Sequence, residues 1–281
     1  MKIFNEIGLF RTYLKEITTN GRTVGVVPTM GALHEGHISL IQASKKANDL
    51  TVCTIYVNPT QFNNPTDLQK YPRTLERDVA MLESADCDIL LCPTDAEMYA
   101  DKPLVKFDFG HLDKVMEAEF RPGHFSGVAL VVSKLFHICE PTRAYFGQKD
   151  WQQLTIINRL VNELKFNIEI VCVPIARESD GLAMSSRNQR LTPEFRKQAA
   201  VLSQSLRLAA AMLRDGKPVD TVKKAVKDNI ESQSGIVLEY VEVSDPVNLT
   251  PIIRVDKDTK AIISLAAFAG DVRLIDNMFL D

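Results

Sequence analysis

Hydrophobic positions in the first 175 residues alternate between two patterns. Short, nearly continuous apolar runs occupy residues 24–27, 51–57, 88–92 and 168–173. Each is closed by a turn signal, usually Pro28, Pro59, Pro93 or Pro174. Runs of this length and β-branched content suit strands buried on both faces of a parallel sheet. Between them the apolar positions recur at helical spacing: Leu75, Val79 and Leu82, then Leu154, Ile157, Leu160, Val161 and Leu164. Strand alternating with helix predicts an α/β domain with a Rossmann-like, doubly wound parallel sheet over residues 1–176. Ligands of such sheets sit beyond the carboxyl ends of the strands.

The pattern changes after residue 176. Residues 177–190 are polar and aperiodic and read as a long loop. Thr192 and Pro193 supply an N-cap and a first helical position. Helical patterns then cover about 193–214 and 218–231, and strand-like runs cover 237–243, 261–267 and 272–275. Helices followed by strands predict a smaller C-terminal α+β domain over residues 177–281, with the boundary near 176–190.

Composition narrows the function classes. Of 281 residues, 45% are hydrophobic and 25% charged, which are ordinary globular values and exclude a mainly disordered chain. The net charge of −3 lacks the basic surplus expected of a general nucleic-acid binder. The longest nearly apolar run, 261–269, is far short of the roughly 20 residues a membrane span needs. The first residues lack a signal-peptide pattern, so a soluble, cytoplasmic chain is expected. Five cysteines form no CxxC pair, and most lie in apolar runs, which predicts buried, reduced thiols.

Four segments at strand ends carry candidate chemistry. The first, Met30-Gly31-Ala32-Leu33-His34-Glu35-Gly36-His37, follows a predicted strand and precedes a helix starting near His37. A glycine-containing turn at a helix N-terminus offers backbone N–H groups to an anion, and two histidines add donors. It matches neither a P-loop nor a dinucleotide fingerprint. Two alternatives stand beside this reading: the histidines merely cap the helix, or they form half of a zinc site. The second segment, Asn58-Pro59-Thr60-Gln61, presents uncharged amides suited to a small hydroxy acid, or is simply a turn. The third, Gly147-Gln148-Lys149-Asp150 with Gln153, combines a close backbone approach with a phosphate-seeking cation, or is a helix start with capping-box spacing. The fourth, Met184-Ser185-Ser186-Arg187, can clamp phosphate oxygens from a mobile loop, or is a solvated hinge. His111 and His137 stand alone. The turn Arg121-Pro122-Gly123-His124-Phe125-Ser126-Gly127 precedes an apolar helix at 128–138.

HxGH after a first strand points to nucleotidyl transfer. The full series VPTMGALHEGH, NPTQF, YPRT, RPGHFSGV, FGQKDWQQL, DGLAMSSRN and RLIDN resembles the pantothenate synthetase (pantoate–β-alanine ligase) family over nearly the whole chain. The resemblance implies an ATP- and Mg²⁺-dependent condensation of pantoate with β-alanine through a pantoyl adenylate, in a homodimer. It implies that residues Met30 to His37 line the ATP site, with His34 and His37 on phosphates and His37 as proton donor. It further implies that Gln61 binds pantoate and β-alanine, and Gln153 pantoate. Gly147, Gln148, Lys149 and Asp150 would hold ATP. Ala176 would lie beside the nucleotide. Met184, Ser185, Ser186 and Arg187 would close over the triphosphate as part of a C-terminal lid. His37, His34, Lys149 and Arg187 form the implied catalytic set. Gln148, where Glu is commoner, and Trp151, where a smaller aromatic is usual, depart from the pattern. The rival readings are another HxGH enzyme, such as a relative of class I aminoacyl-tRNA synthetases, and a nucleotide-binding regulatory protein without turnover.

Overall fold

The computed structural model describes residues 1–280. Its strands are β1 (Lys2–Phe4), β2 (Val24–Thr29), β3 (Leu50–Ile55), β4 (Ile89–Leu91), β5 (Arg143–Gly147), β6 (Glu169–Val173), β7 (Ile236–Ser244), β8 (Ala261–Ala269) and β9 (Val272–Leu280). Its helices are α1 (Ile7–Ile17), α2 (Glu35–Ala47), α3 (Pro65–Lys70), α4 (Leu75–Ser84), α5 (Asp95–Met98), α6 (Glu117–Phe120), α7 (His124–Cys139), α8 (Trp151–Leu164), α9 (Pro193–Gln198), α10 (Val201–Arg214) and α11 (Val219–Glu231). The chain separates into two compact units. One comprises Met1–Gly147 and Ile156–Val173, the other Gln148–Thr155 and Pro174–Asp281.

The first unit holds a six-stranded sheet in the order β1-β4-β3-β2-β5-β6, with every pairing parallel. From β2 the chain builds outward through β3 and β4 on one side and through β5 and β6 on the other. The order therefore reverses between β2 and β5, and in such sheets the crevice beyond those two strand ends is the usual ligand site. The central strand β2 is buried along most of its length, which is why its sequence reads as a continuous apolar run. Val27, Leu33, Ile41, Cys53, Leu82 and Tyr145 share one core around it.

The doubly wound α/β reading holds, but two strands escaped it. β1 has three residues, two of them exposed, and β5 carries only Ala144, Tyr145 and Phe146 as an apolar run. Neither offers the β-branched run, closed by a proline, that marks the strands the pattern did predict. Helix α7 begins at His124, one turn before the predicted start, because the buried face extends back through Phe125.

The second unit holds an antiparallel sheet in the order β7-β8-β9, with a bulge between Leu238 and Tyr240. Its core is formed by the apolar stripes of α10 and α11 with the central strand β8. The single helix expected over 193–214 is split into α9 and α10 at Ala199 and Ala200. Both alanines are buried good helix formers, so tertiary packing rather than propensity sets the break. Phe195 of α9 lies against Gly235 and Gly270, both with positive φ. A Cβ at either glycine would meet the ring within 2.6–2.7 Å. β9 runs on to Leu280, well past the expected 275, and so carries Asp276 and Asn277 within a strand.

All five cysteines are unpaired by disulfides. Burial pushes the Cys87 thiol up to about 11 and that of Cys139 to about 12, so both stay protonated near neutrality. Cys172 departs from the expectation. It is exposed, because β6 is the last strand of its sheet and buries little along Glu169–Val173.

Candidate active site

β2 ends at Thr29, and the chain turns through Gly31 (φ 77°) and Ala32 (φ 51°) before α2 begins. The left-handed position is natural for glycine but costs an alanine roughly 1 kcal/mol. What compensates is Asp78 of α4. Its two carboxylate oxygens accept from the N–H groups of Ala32 (2.9 Å) and Leu33 (2.8 Å), and the Thr74 hydroxyl donates to it at 3.1 Å.

His34 is the N-cap of α2. Its Nδ1 accepts from the Gly36 N–H at 3.1 Å, while His37 Nδ1 accepts from the His34 N–H at 3.3 Å. This is a capping box built from two imidazoles, with ring centroids 4.1 Å apart. The capping role and a functional role are therefore compatible. Because each Nδ1 accepts, each neutral ring carries its proton on Nε2, which becomes the donor. The same bonds occupy the Nδ1 lone pairs that a metal would need. Among the described residues, no three His, Cys, Asp or Glu side chains cluster as a metal site.

One expectation is corrected here. The turn does not offer an open cradle of backbone donors. The N–H groups of Gly31, Ala32, Leu33, His34 and Gly36 already donate to Thr29 Oγ1, Asp78, Asp78, His37 and His34. Sequence spacing could not reveal this, since the acceptor comes from a residue 45 positions away.

At the end of β3, the second segment forms a buried amide network. The Asn58 Nδ2 donates to Gln61 Oε1 (3.0 Å) and to the Gly127 carbonyl (3.1 Å). Its Oδ1 accepts from the Tyr99 hydroxyl (2.9 Å) and the Thr60 hydroxyl (3.0 Å). Burial holds the Tyr99 phenol above its ordinary pKa, so it remains a donor near neutrality. With its oxygen engaged, Gln61 (7% exposed) is left presenting Nε2, which lies 3.1 Å from Met30 Sδ. That contact brings the first two segments together. His124 Nδ1 lies 2.8 Å from the Gln61 carbonyl. Gly127 of α7 allows the close approach, since a Cβ there would fall 2.3 Å from the Thr60 carbonyl oxygen.

The third and fourth segments belong to the second unit, apart from Gly147 at the end of β5. Residues Gln148–Asp150 form a 3-10 turn leading into α8. Asn277 of β9 binds that turn: its Nδ2 donates to the carbonyls of Gln148 (3.0 Å) and Lys149 (2.9 Å), and the Gln148 amide returns a bond at 3.2 Å. The departure at position 148 is thus an amide paired with an amide. The departure at 151 is also anchored, its indole N–H donating to the Pro246 carbonyl at 2.9 Å and its ring meeting Phe279 edge-on. Gln153 follows on the first turn of α8 and is half-buried.

Ala176 and Met184 are joined by a backbone bond of 2.9 Å. Between them Arg177 makes a bidentate pair with Asp276 (2.7 and 2.9 Å) and also donates to the Gly181 carbonyl. Burial raises the Asp276 carboxyl more than Arg177 lowers it. Ser185 caps a short 3-10 helix, Ser186–Arg190, its hydroxyl accepting from the Arg187 N–H at 3.2 Å. So the 177–190 loop is tied down at its base, and Ser186 and Arg187 sit on an ordered turn.

Sequence reasoning did not single out Asp78, Tyr99 or Arg177 as partners of the candidate segments, and Asp276 entered only within the RLIDN motif. Only Asp78 left a usable signal. It lies on the apolar stripe of α4 with Leu75 and Leu82, where a charge demands a partner.

A parallel sheet whose order reverses between β2 and β5, with an HxGH helix start at the end of β2, defines a nucleotidyl-transferring α/β enzyme. The family model described as pantoate–β-alanine ligase matches residues 2–279, and the chain belongs to that family. Curated relatives include the pantothenate synthetases of Cytophaga hutchinsonii (47% identity, covering 96% of each chain) and Acetivibrio thermocellus (43%, covering 100% of each). Among solved structures, pantothenate synthetase from Thermus thermophilus superposes with a TM-score of 0.92 at 38% identity, covering 99% of both chains. The Francisella tularensis ligase, solved with β-γ ATP and β-alanine, gives 0.84 at 35% identity, covering 100% of this chain and 98% of that one. The chain is a carbon–nitrogen ligase that uses ATP to join pantoate to β-alanine.

Proposed function

We propose that the reaction divides its work among the four segments. The pantoate carboxylate attacks the α-phosphorus of ATP, giving pantoyl adenylate and pyrophosphate. The amine of β-alanine then attacks the acyl carbon and releases AMP. The observation that carries the assignment is the presence, in one unit, of two Nε2 donors at the start of α2 and of the Gln61 amide at the end of β3, whose Nε2 meets Met30 of the first segment. His34 and His37 are assigned to the phosphates, with His37 as the proton donor and Met30, Gly31, Ala32, Leu33, Glu35 and Gly36 as the surrounding wall. Charge grows on phosphate oxygens as the α-phosphorus is attacked, so fixed donors are the main catalytic resource.

Gln61 is assigned to pantoate and β-alanine. Its Nε2 donor suits a carboxylate oxygen, which a carbonyl in its place would repel. Gln153 is assigned to pantoate. Gly147, Gln148, Lys149 and Asp150 are assigned to ATP, with Lys149 as the mobile charge. Ala176 and the set Met184, Ser185, Ser186 and Arg187 are assigned to the nucleotide and its triphosphate, and residues 177–281 to a lid role. Mg²⁺ is read as part of the MgATP substrate. A small, hard cation keeps its phosphate and water ligands, and the cationic and amide groups here suit phosphate oxygens. A homodimer in the cytoplasm completes the reading, and sedimentation of the purified protein tests the first part.

The deciding experiment is a coupled assay for AMP with each substrate withheld in turn. AMP release should need ATP, pantoate and β-alanine together, whereas pyrophosphate exchange should need only ATP and pantoate. Exchange supported by an amino acid in place of pantoate would redirect the reading to another acid-activating enzyme.

A further inference from the structure

Asp78 sits outside every segment that the chemistry above employs, yet it is 1% exposed and binds the turn that carries both histidines. Its contacts are unusually complete. Oδ2 takes the Ala32 N–H, while Oδ1 takes the Leu33 N–H and the Thr74 hydroxyl. Charge-assisted bonds of this kind are roughly twice as strong as neutral ones. The two N–H groups are aligned on one carboxylate because Gly31 and Ala32 are both left-handed. A Cβ at Gly31 would lie 3.0 Å from Oδ2, so the carboxylate also fills the space against the turn. One residue after this clamp comes His34, whose ring position is defined by the Gly36 N–H, and His37 is defined in turn by the His34 N–H. The register of the capping box therefore follows from where residues 32 and 33 are held.

We propose that Asp78 is a positioning residue for the two histidines: its carboxylate fixes the 31–33 turn, and through it the Nε2 donors of His34 and His37. This rests on the reading that adenylyl transfer uses those donors. It assigns Asp78 no contact with substrate. It also accounts for the buried charge on the apolar stripe of α4, which would be costly without donors. A misplacement of about 1 Å at a reacting group costs on the order of 10²-fold in rate.

The test compares Asp78→Asn with wild type in the two half-reactions. The first is pantoate-dependent exchange of pyrophosphate into ATP. The second is conversion of chemically prepared pantoyl adenylate to pantothenate on adding β-alanine. Asparagine keeps the shape but turns an N–H toward an N–H. Exchange should fall about 10²-fold through kcat, with the KM for ATP and the second half-reaction changed less than about threefold. A merely structural role would lower both halves alike, in step with the folded fraction, and that result, or unchanged exchange, would overturn the assignment. Should thermal melting show Asp78→Asn to be unfolded, Thr74→Val decides. It removes one hydroxyl from Oδ1 and should slow exchange about three- to tenfold, the worth of one hydrogen bond, while sparing the second half. Equal effects on both halves, or none, would overturn the assignment by that route. Wild-type protein lacking pantoate-dependent exchange would overturn the functional reading as well. Wild-type exchange that the substitutions leave intact would overturn the Asp78 assignment alone.

Discussion

Asn58 donates to Gln61 across 3.0 Å, and the direction of that bond decides what Gln61 can offer a ligand. Asn58 is itself oriented by the Gly127 carbonyl, which accepts from its Nδ2, and by the Thr60 and Tyr99 hydroxyls, which donate to its Oδ1. Removing the Tyr99 hydroxyl weakens the hold on Asn58, which the Gly127 carbonyl and Thr60 still orient, and through it the hold on Gln61. Tyr99→Phe should raise the KM for pantoate about three- to tenfold, as expected for one net hydrogen bond, and leave the KM for ATP within about twofold. Steady-state kinetics with each substrate varied separately would check this, and a shift in the ATP value as large as that in pantoate would remove Tyr99 from the acid pocket.

Gly127 lets α7 pass against the backbone of Thr60 and Gln61. A methyl group there has no flexible neighbour to displace, only the Thr60 carbonyl and the Gln61 N–H. Overpacking of this kind costs about 1–3 kcal/mol. Gly127→Ala should therefore lower Tm by roughly 3–10 °C and weaken pantoate more than ATP. Calorimetry and kinetics on the same sample would separate the two effects, and a variant with wild-type Tm would contradict the packing described.

His37 and Lys149 are each assigned to phosphate in the proposed reaction. His37→Ala and Lys149→Ala should each cut pantoate-dependent pyrophosphate exchange by about 10²–10⁴, the range for a lost acid or electrostatic donor. Exchange near the wild-type rate in both variants would return the two residues to the capping and helix-start roles that their sequence spacing also allows.

Acid stability has a local source at Asp49. Its carboxylate accepts from the Thr23 N–H and the Thr23 hydroxyl, both at 2.7 Å, and these bonds, the backbone one foremost, hold its pKa below the ordinary value. The unfolded chain, with an aspartate near about 3.9, then binds more protons at mildly acid pH than the folded one. Asp49 thus contributes stability above about pH 4, and the contribution fades as pH falls through the lowered value. In Asp49→Asn the decline of Tm between about pH 6 and about pH 3 should be shallower than in wild type. Parallel curves would show that Asp49 is not a source of that slope.

Most elements legible along the chain carry a continuous apolar run, as even three-residue β4 does, or a marked helical stripe, although α1 at Ile7–Ile17 was not picked out. β2 and β3 read as buried runs, and α8, α10 and α11 as apolar stripes. The candidate residues were legible too, because His34, Gln61, Lys149 and Arg187 stand in turns next to those elements, and turn chemistry is local. β1 and β5 were not, carrying no β-branched run closed by a proline.

What the sequence determined by itself is the alternation that builds the parallel sheet, the places where its strands end, and the motif series that marks the family. Only the tertiary structure decided which donors in those turns are taken by distant partners. Asp78 takes the backbone N–H groups of residue 32 and residue 33 from 45 or more positions away. Tyr99 donates to an amide 41 positions before it. Asn277 binds a turn 128 positions before it. Hydrogen bonds are satisfied by whatever the fold brings within about 3 Å, and separation along the chain leaves no trace of that in local pattern.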